Sequence, residues 1–157
     1  MVQSVSFTGH RNITITPKLK KRLYETLESL IQRGATDFYA GGALGWDTLC
    51  EKTVLKLGEK YPHIRLHLVL PCPEESQTKN WSQADKTLFQ SLSLSAHTTE
   101  LCSDSYYSGC MKKRNEKLVE LADCCVCCYN EKDCASGTGQ TVRMAQRKGI
   151  EIINLFD

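Results

Sequence analysis

Apolar positions along the chain follow two alternating rhythms. From Ser4 to Thr8, Val5 and Phe7 alternate with polar neighbours, the period-two pattern of a half-buried strand. Thr16-Pro17 then offers an N-cap and a proline at the first helical position. Leu19, Leu23, Leu27, Leu30 and Ile31 follow at helical spacing, and Gly34 stops them. The succession repeats. Asp37 to Ala40 predicts a short strand ending at Gly41-Gly42, and Leu49, Cys50, Val54 and Leu57 predict one face of a second helix. Ile64 to Leu70 reads as a strand ended by Pro71. Ser82-Gln83-Ala84-Asp85 resembles a capping box and opens a helix through Leu88 and Leu92. His97 to Leu101 predicts a fourth strand, and Met111 to Ala122 a helix with Met111, Leu118 and Ala122 inward. Cys124 to Tyr129 is almost continuously apolar, as a central parallel strand covered on both faces should be. Gly139 to Lys148 predicts the last helix, closed by Gly149, and Ile150 to Phe156 the last strand.

Strands alternating with helices imply right-handed βαβ units. The expectation is one domain over residues 1–157, an α/β Rossmann-like three-layer sandwich with a mostly parallel central sheet. In such sheets ligands bind beyond the carboxyl ends of the strands, where the strand order switches direction. The loops that follow strands are therefore the places to look for chemistry.

Composition narrows the class. With 157 residues, 41% hydrophobic and 24% charged, the chain has the balance of a globular protein that builds its own core. It carries 20 Lys+Arg against 18 Asp+Glu, a net charge of +2, so a nucleic-acid partner is disfavoured. No apolar run reaches the roughly 18 residues of a membrane span, and no export signal is visible, so a cytoplasmic protein without a membrane partner is expected. Nine cysteines then read as reduced thiols. In Cys124-Cys125-Val126-Cys127-Cys128, strand alternation sends Cys124 and Cys127 to opposite faces, which argues against a shared metal ion.

Six segments at strand ends and helix starts carry candidate chemistry. Thr8, Gly9, His10 and Arg11 end the first strand: the glycine permits close approach to backbone, and Arg11 offers a planar fork for phosphate or carboxylate. Gly41-Gly42-Ala43-Leu44-Gly45 joins a strand to a helix N-terminus, a plausible phosphate cradle, with Asp47 placed for a ribose hydroxyl. Trp81 and Tyr106 offer rings to flank a base. Arg114 and Asn115 sit near the start of a helix. Gly137, Thr138 and Thr141 belong to a second glycine and hydroxyl segment at a helix N-terminus.

In this order, Thr8-Gly9-His10-Arg11, Gly41-Gly42-Ala43-x-Gly45-x-Asp47, Pro71-Cys72 with Trp81, Arg114-Asn115 and Gly137-Thr138 resemble the SLOG superfamily, the Smf/DprA and LOG relatives. They are most similar to its small single-domain bacterial branch with a Thr-Gly-His-Arg start. The resemblance covers nearly the whole chain. It implies a Rossmannoid fold with a pocket for a nucleotide or a nucleotide-derived ligand such as an ADP-ribose-like signal, and homodimers through sheet-flanking helices. The LOG hydrolases in that superfamily carry a Pro-Gly-Gly-x-Gly-Thr-x-x-Glu loop. Here the proline is missing, and Thr141 stands where the alignment wants the glutamate.

Three readings follow. The first is a binding protein or sensor for a nucleotide-derived small molecule, with no other cofactor and no assigned catalytic residue. The second is a nucleotide N-glycosidic hydrolase, which needs a carboxylate beside the ribose. The third is a single-stranded DNA-binding protein, which needs a basic track with stacking aromatics.

Overall fold

The start and stop signals in the sequence close real caps. In the computed structural model, which describes residues 2–157, Thr16 Oγ1 accepts from Leu19 N at 3.1 Å and Ser82 Oγ from Asp85 N at 3.1 Å, while Gly149 ends its helix in the left-handed region at φ 80°. The elements are β1 (Ser4–Gly9), α1 (Pro17–Gln32), β2 (Asp37–Ala40), α2 (Trp46–Lys60), β3 (Arg65–Leu70), α3 (Glu74–Gln77), α4 (Gln83–Ser95), β4 (Thr98–Leu101), α5 (Cys110–Leu121), β5 (Cys124–Cys128), α6 (Gly137–Lys148) and β6 (Glu151–Asn154). A short 3₁₀ turn over Glu131–Asp133 lies between β5 and α6.

All strand pairs are parallel, in the order β4-β3-β2-β1-β5-β6. From β1 the chain walks outward to β4, then crosses the sheet to β5 and walks the other way. Right-handed crossovers therefore put α1, α2 and α4 on one face and α5 and α6 on the other. The packing agrees, since α1 and α4 touch α2 and α5 touches α6. Adjacent β1 and β5 send their chains to opposite faces, and the crevice opens between them.

The alternation in β5 divides the core. Cys124, Val126 and Cys128 join Phe7, Phe38, Trp46 and the α1 leucines on one face. Cys125, Cys127 and Tyr129 join Val119, Val142 and Ala145 on the other. All nine cysteines are free thiols.

Most boundaries fall within one residue of the sequence expectation, and three features differ by more. The last helix starts at Gly137, not Gly139, because Ser136 is its N-cap and accepts from Gly139 N at 3.0 Å. That puts Gly137 and Thr138 inside the first turn. The last strand stops at Asn154, whose side-chain amide bridges the backbone O and N of Tyr129 at 2.9 and 3.0 Å and so ends the ladder. The single turn α3 has too few residues to show a period, and only Pro73 before it signals a start.

Candidate functional site

The crevice at the β1/β5 switch is a cleft of about 310 Å³. Thr8 to Arg11 from the end of β1 form one wall, and Met111, Arg114, Asn115 and Leu118 of α5 form another. Ser136, Gly137 and Thr138 at the start of α6 close the end, and Ala43 and Asp47 reach in from the β2–α2 junction. Nine of the fifteen residues singled out from the sequence line this cleft: Thr8, Gly9, His10, Arg11, Asp47, Arg114, Asn115, Gly137 and Thr138. Gly41, Gly42, Gly45, Trp81, Tyr106 and Thr141 do not.

At α6 the polar groups are sorted by use. The Ser136 hydroxyl donates to Asp133 O at 2.6 Å and accepts from Gly139 N, so it is committed to capping. The N–H groups of Gly137 and Thr138 have no partner among the described residues, as expected of a first helical turn. A side chain at Gly137 would meet only Asn115 Nδ2, at 3.9 Å. Asn115 Oδ1 accepts from Arg114 Nε at 2.9 Å, which turns its amide nitrogen to that open space. Two backbone donors, one amide donor and the positive end of a twelve-residue helix thus converge on an empty volume.

The other glycine segment is packed shut. A Cβ at Gly41 would strike the Arg114 guanidinium, and one at Gly42 would lie 2.8 Å from Leu70 Cδ2 and 2.9 Å from Phe89 Cε2. A Cβ at Gly45 would fall on the Arg11 carbonyl. Gly42 and Gly45 also sit at φ +74° and +79°. These glycines serve a tight turn that clamps α2 against β1, and this corrects the expectation that Gly41, Gly42 and Gly45 face a phosphate. Gly9 is similar: a Cβ there would lie within the Trp46 indole, which is fully buried and donates to Val126 O at 3.4 Å.

Arg114, expected as an open phosphate ligand, is only 6% exposed. One terminal nitrogen donates to Gly41 O, the other lies 3.9 Å from Met111 Sδ, and Nε holds Asn115. It pins the β2–α2 turn to α5 and orients Asn115. Asp47, also 6% exposed, accepts from Ala43 N at 3.1 Å and makes no direct ion pair among the described residues. Burial raises its pKa above the usual carboxylate range, while Arg114, the loop N–H groups and Arg11 pull it back. One turn further along α2, Glu51 is 1% exposed, and its Oε2 has no hydrogen-bond partner. Burial beside Asp47 pushes its pKa well up, so a second, protonated acid underlies the first. Sequence reasoning missed Glu51. Its signal was its place four residues after Asp47, on the face of α2 that turns inward.

His10 Nε2 accepts from Asn130 N at 3.2 Å, which fixes the tautomer with its proton on Nδ1 and joins the ends of β1 and β5. Arg11 is exposed at the rim with no side-chain partner among the described residues. Thr141 is buried and donates back to Gly137 O at 2.8 Å, so its hydroxyl is spent within α6. Trp81 packs edge-on against Phe89 with ring centroids 5.7 Å apart, beside the main core. Tyr106 is 62% exposed and outside the cleft. Neither ring lines the cleft, although α5, the helix that follows the Tyr106 segment, forms one of its walls.

Charge is less even than its total suggests. A groove of about 610 Å³ between α1 and α2 is lined by Lys20, Lys21, Lys52, Lys56 and Tyr24, with Lys56 over the Tyr24 ring at 5.7 Å. Glu25 and Glu28 share it, and Glu28 is held by Lys60 at 2.8 Å. The near-neutral net charge, used in the sequence reading against nucleic acid, hides a basic face with an aromatic on it. No helix among the described residues is long and apolar enough to cross a membrane.

Comparison with known proteins gives consistent results. A model of the YspA SLOG family matches residues 7–155. The UPF0398 protein BH1768 of Halalkalibacterium halodurans is 28% identical over 125 residues, covering 78% of this chain and 64% of that protein. A UPF0398 protein of Bacillus pumilus is 25% identical over 114 residues, covering 71% and 60%. The chain thus spans less than two thirds of the length of these two relatives. Among solved structures, DNA processing protein A from Helicobacter pylori, described for its single-stranded DNA binding mode, superposes with TM-score 0.66 at 22% identity, over 96% of this chain and 63% of that one. The structural-genomics target TM1055 superposes with TM-score 0.59 at 16% identity, over 96% and 72%. At these identities the two structures share the Rossmann-like fold.

Proposed function

Because this chain belongs to the YspA SLOG family, we propose that the cleft between β1 and β5 binds the phosphate of a nucleotide-derived small molecule. The observation that carries this reading is the start of α6. The free N–H groups of Gly137 and Thr138, Asn115 Nδ2 and the helix dipole meet over a glycine with open space before it. Arg11 at the rim supplies the mobile counter-charge, while Arg114 acts from behind by holding Asn115 in place. Asp47 lines the same cleft, and a ribose hydroxyl suits it, since a hydroxyl can donate to a carboxylate or accept from a carboxylic acid.

Binding without turnover fits the acids present. The Thr141 hydroxyl is neutral and committed to Gly137 O, and Asp47 is buried and held by Ala43 N–H. Neither is a free carboxylate poised against a sugar ring. The test is calorimetric titration with ribose 5-phosphate, the four nucleoside monophosphates and ADP-ribose, beside a release assay for ribose 5-phosphate. At least one phosphorylated compound binds, Asn115→Leu weakens it tenfold or more, and no hydrolysis is detected. Failure of every compound to bind removes the reading.

A second reading has its own observation. The α1–α2 groove joins lysines to an aromatic ring, the pairing that single-stranded nucleic acid uses, and one structural neighbour is described as binding single-stranded DNA. A gel shift at low and moderate salt, with Lys52→Glu/Lys56→Glu as control, distinguishes the two, since only groove binding is lost in that variant and falls steeply with salt.

A further inference from the structure

The cleft, read above as the phosphate site, has no tryptophan or tyrosine in its lining to stack on a base. At about 310 Å³ it lies at the small end of the range for small-molecule sites. Both rings that the sequence offered are elsewhere: Trp81 packs against the edge of the core, and Tyr106 lies outside. A larger cavity, about 540 Å³, lies on the other side of the β1–α1 segment and shares His10 and Arg11 with the cleft. It occupies the opposite face of the same switch point, over the carboxyl ends of β5 and β6.

We propose that this cavity is the nucleoside half of the site, taking the sugar and base of the ligand whose phosphate lies at α6. The inference rests on the phosphate reading above and adds to it where the uncharged part of the ligand goes. Three observations carry it. The walls are apolar where a base needs a surface: Ile13, Leu19, Leu155 and Phe156 line the cavity, and Phe156 stays 42% exposed although large. Polar groups free for a base edge stand at its margin, since the side chains of Asn12 and Thr14 make no hydrogen bond among the described residues. The divider between cavity and cleft is anchored, because Asn130 N–H donates to His10 Nε2 at 3.2 Å and ties the end of β1 to that of β5. A nucleotide draped over His10 places its phosphate by Gly137 and its base against Phe156. The size of the cavity falls within the roughly 300–1,000 Å³ usual for small-molecule sites.

The test compares ribose 5-phosphate with AMP, GMP, CMP, UMP and ADP-ribose on the wild-type chain and on Thr14→Trp, which fills the cavity, and Phe156→Ala, which removes a wall. Both positions are exposed, and thermal unfolding checks that each variant keeps its fold. The expected result is that at least one nucleotide binds tenfold or more tightly than ribose 5-phosphate. Both variants then lose that advantage while ribose 5-phosphate binding is unchanged. If no nucleotide exceeds ribose 5-phosphate, or if the advantage survives in both variants, the cavity is not the nucleoside site and the phosphate cleft stands. If the wild-type chain binds none of the compounds, both readings fall together.

Discussion

Two glycine-rich segments leave parallel strands and enter helices in this protein, and they do opposite work. Between β2 and α2, Gly41, Gly42 and Gly45 are pressed against Arg114, Leu70, Phe89 and the Arg11 carbonyl. In the first turn of α6, Gly137 faces open space with unpaired N–H groups around it. Both look like phosphate cradles in one dimension. A glycine lets something come close to the backbone. At the first segment that something is the protein itself, and at the second it is room for a ligand. Backbone sign separates them too, since Gly42 and Gly45 have positive φ and Gly137 does not.

The contrast breaks first at Gly45. Gly45→Val forces a branched side chain into a left-handed backbone position and onto a carbonyl. Strain of about 1–2 kcal/mol adds to overpacking of about 1–3 kcal/mol, so denaturant unfolding registers the largest loss of the set. Gly42→Val behaves alike, by colliding with Leu70 and Phe89, and any loss of ligand binding follows from lost folding. A variant of either that is as stable as the parent would show that the first segment is open after all.

Arg114→Ala comes next. It removes the charged donor from the buried Gly41 carbonyl, leaving Gln77 Nε2 at 3.4 Å, at a cost of about 1.5–3 kcal/mol for a hydrogen bond to a charged group, and it frees Asn115. Stability and affinity for a phosphorylated ligand fall together, whereas Lys113→Ala, at an exposed position, changes neither. Loss of affinity at full stability would return Arg114 to the role of direct ligand.

Glu51→Gln probes the floor beneath the first segment. The folded state keeps a proton on Glu51 that the unfolded chain gives up above the ordinary glutamate pKa. Stability tied to Glu51 is therefore fully present at acid pH and is lost as pH rises toward its elevated folded value. Glutamine has no such proton to lose, so the melting temperature of the variant gains on the parent as pH rises from 4 to 8. A constant difference across that range would mean that Glu51 ionises normally.

Gly137→Ala has the smallest effect on stability. Nothing obstructs the added methyl group, and alanine is the better helix former, so the fold gains a few tenths of a kcal/mol up to about 1 kcal/mol. The methyl group intrudes on the anion space, and affinity for phosphorylated compounds drops. A variant that is more stable and binds less is the signature of a ligand glycine, the reverse of the pattern at Gly45.

Period and punctuation were enough to read the architecture from sequence. Strand and helix order, the helix caps at Thr16 and Ser82, the opposite faces of Cys124 and Cys127, and the parallel sheet all follow from local spacing and local hydrogen bonding. The loops of the site were legible for the same reason, because they lie where strands end. What each residue in them does was not. Arg114 and Asn115 are adjacent in sequence, yet one is sealed against Gly41 and the other looks into the cleft. Trp81 was offered to a base, and packing against Phe89 took it. Glu51 stood one turn after Asp47 on the inward face of α2, but nothing local showed that its Oε2 would be left without a partner. These assignments depend on what is brought within a few ångströms from 30 to 120 residues away. That is set by how β1, β2 and β5 lie side by side, and only the assembled sheet decides it.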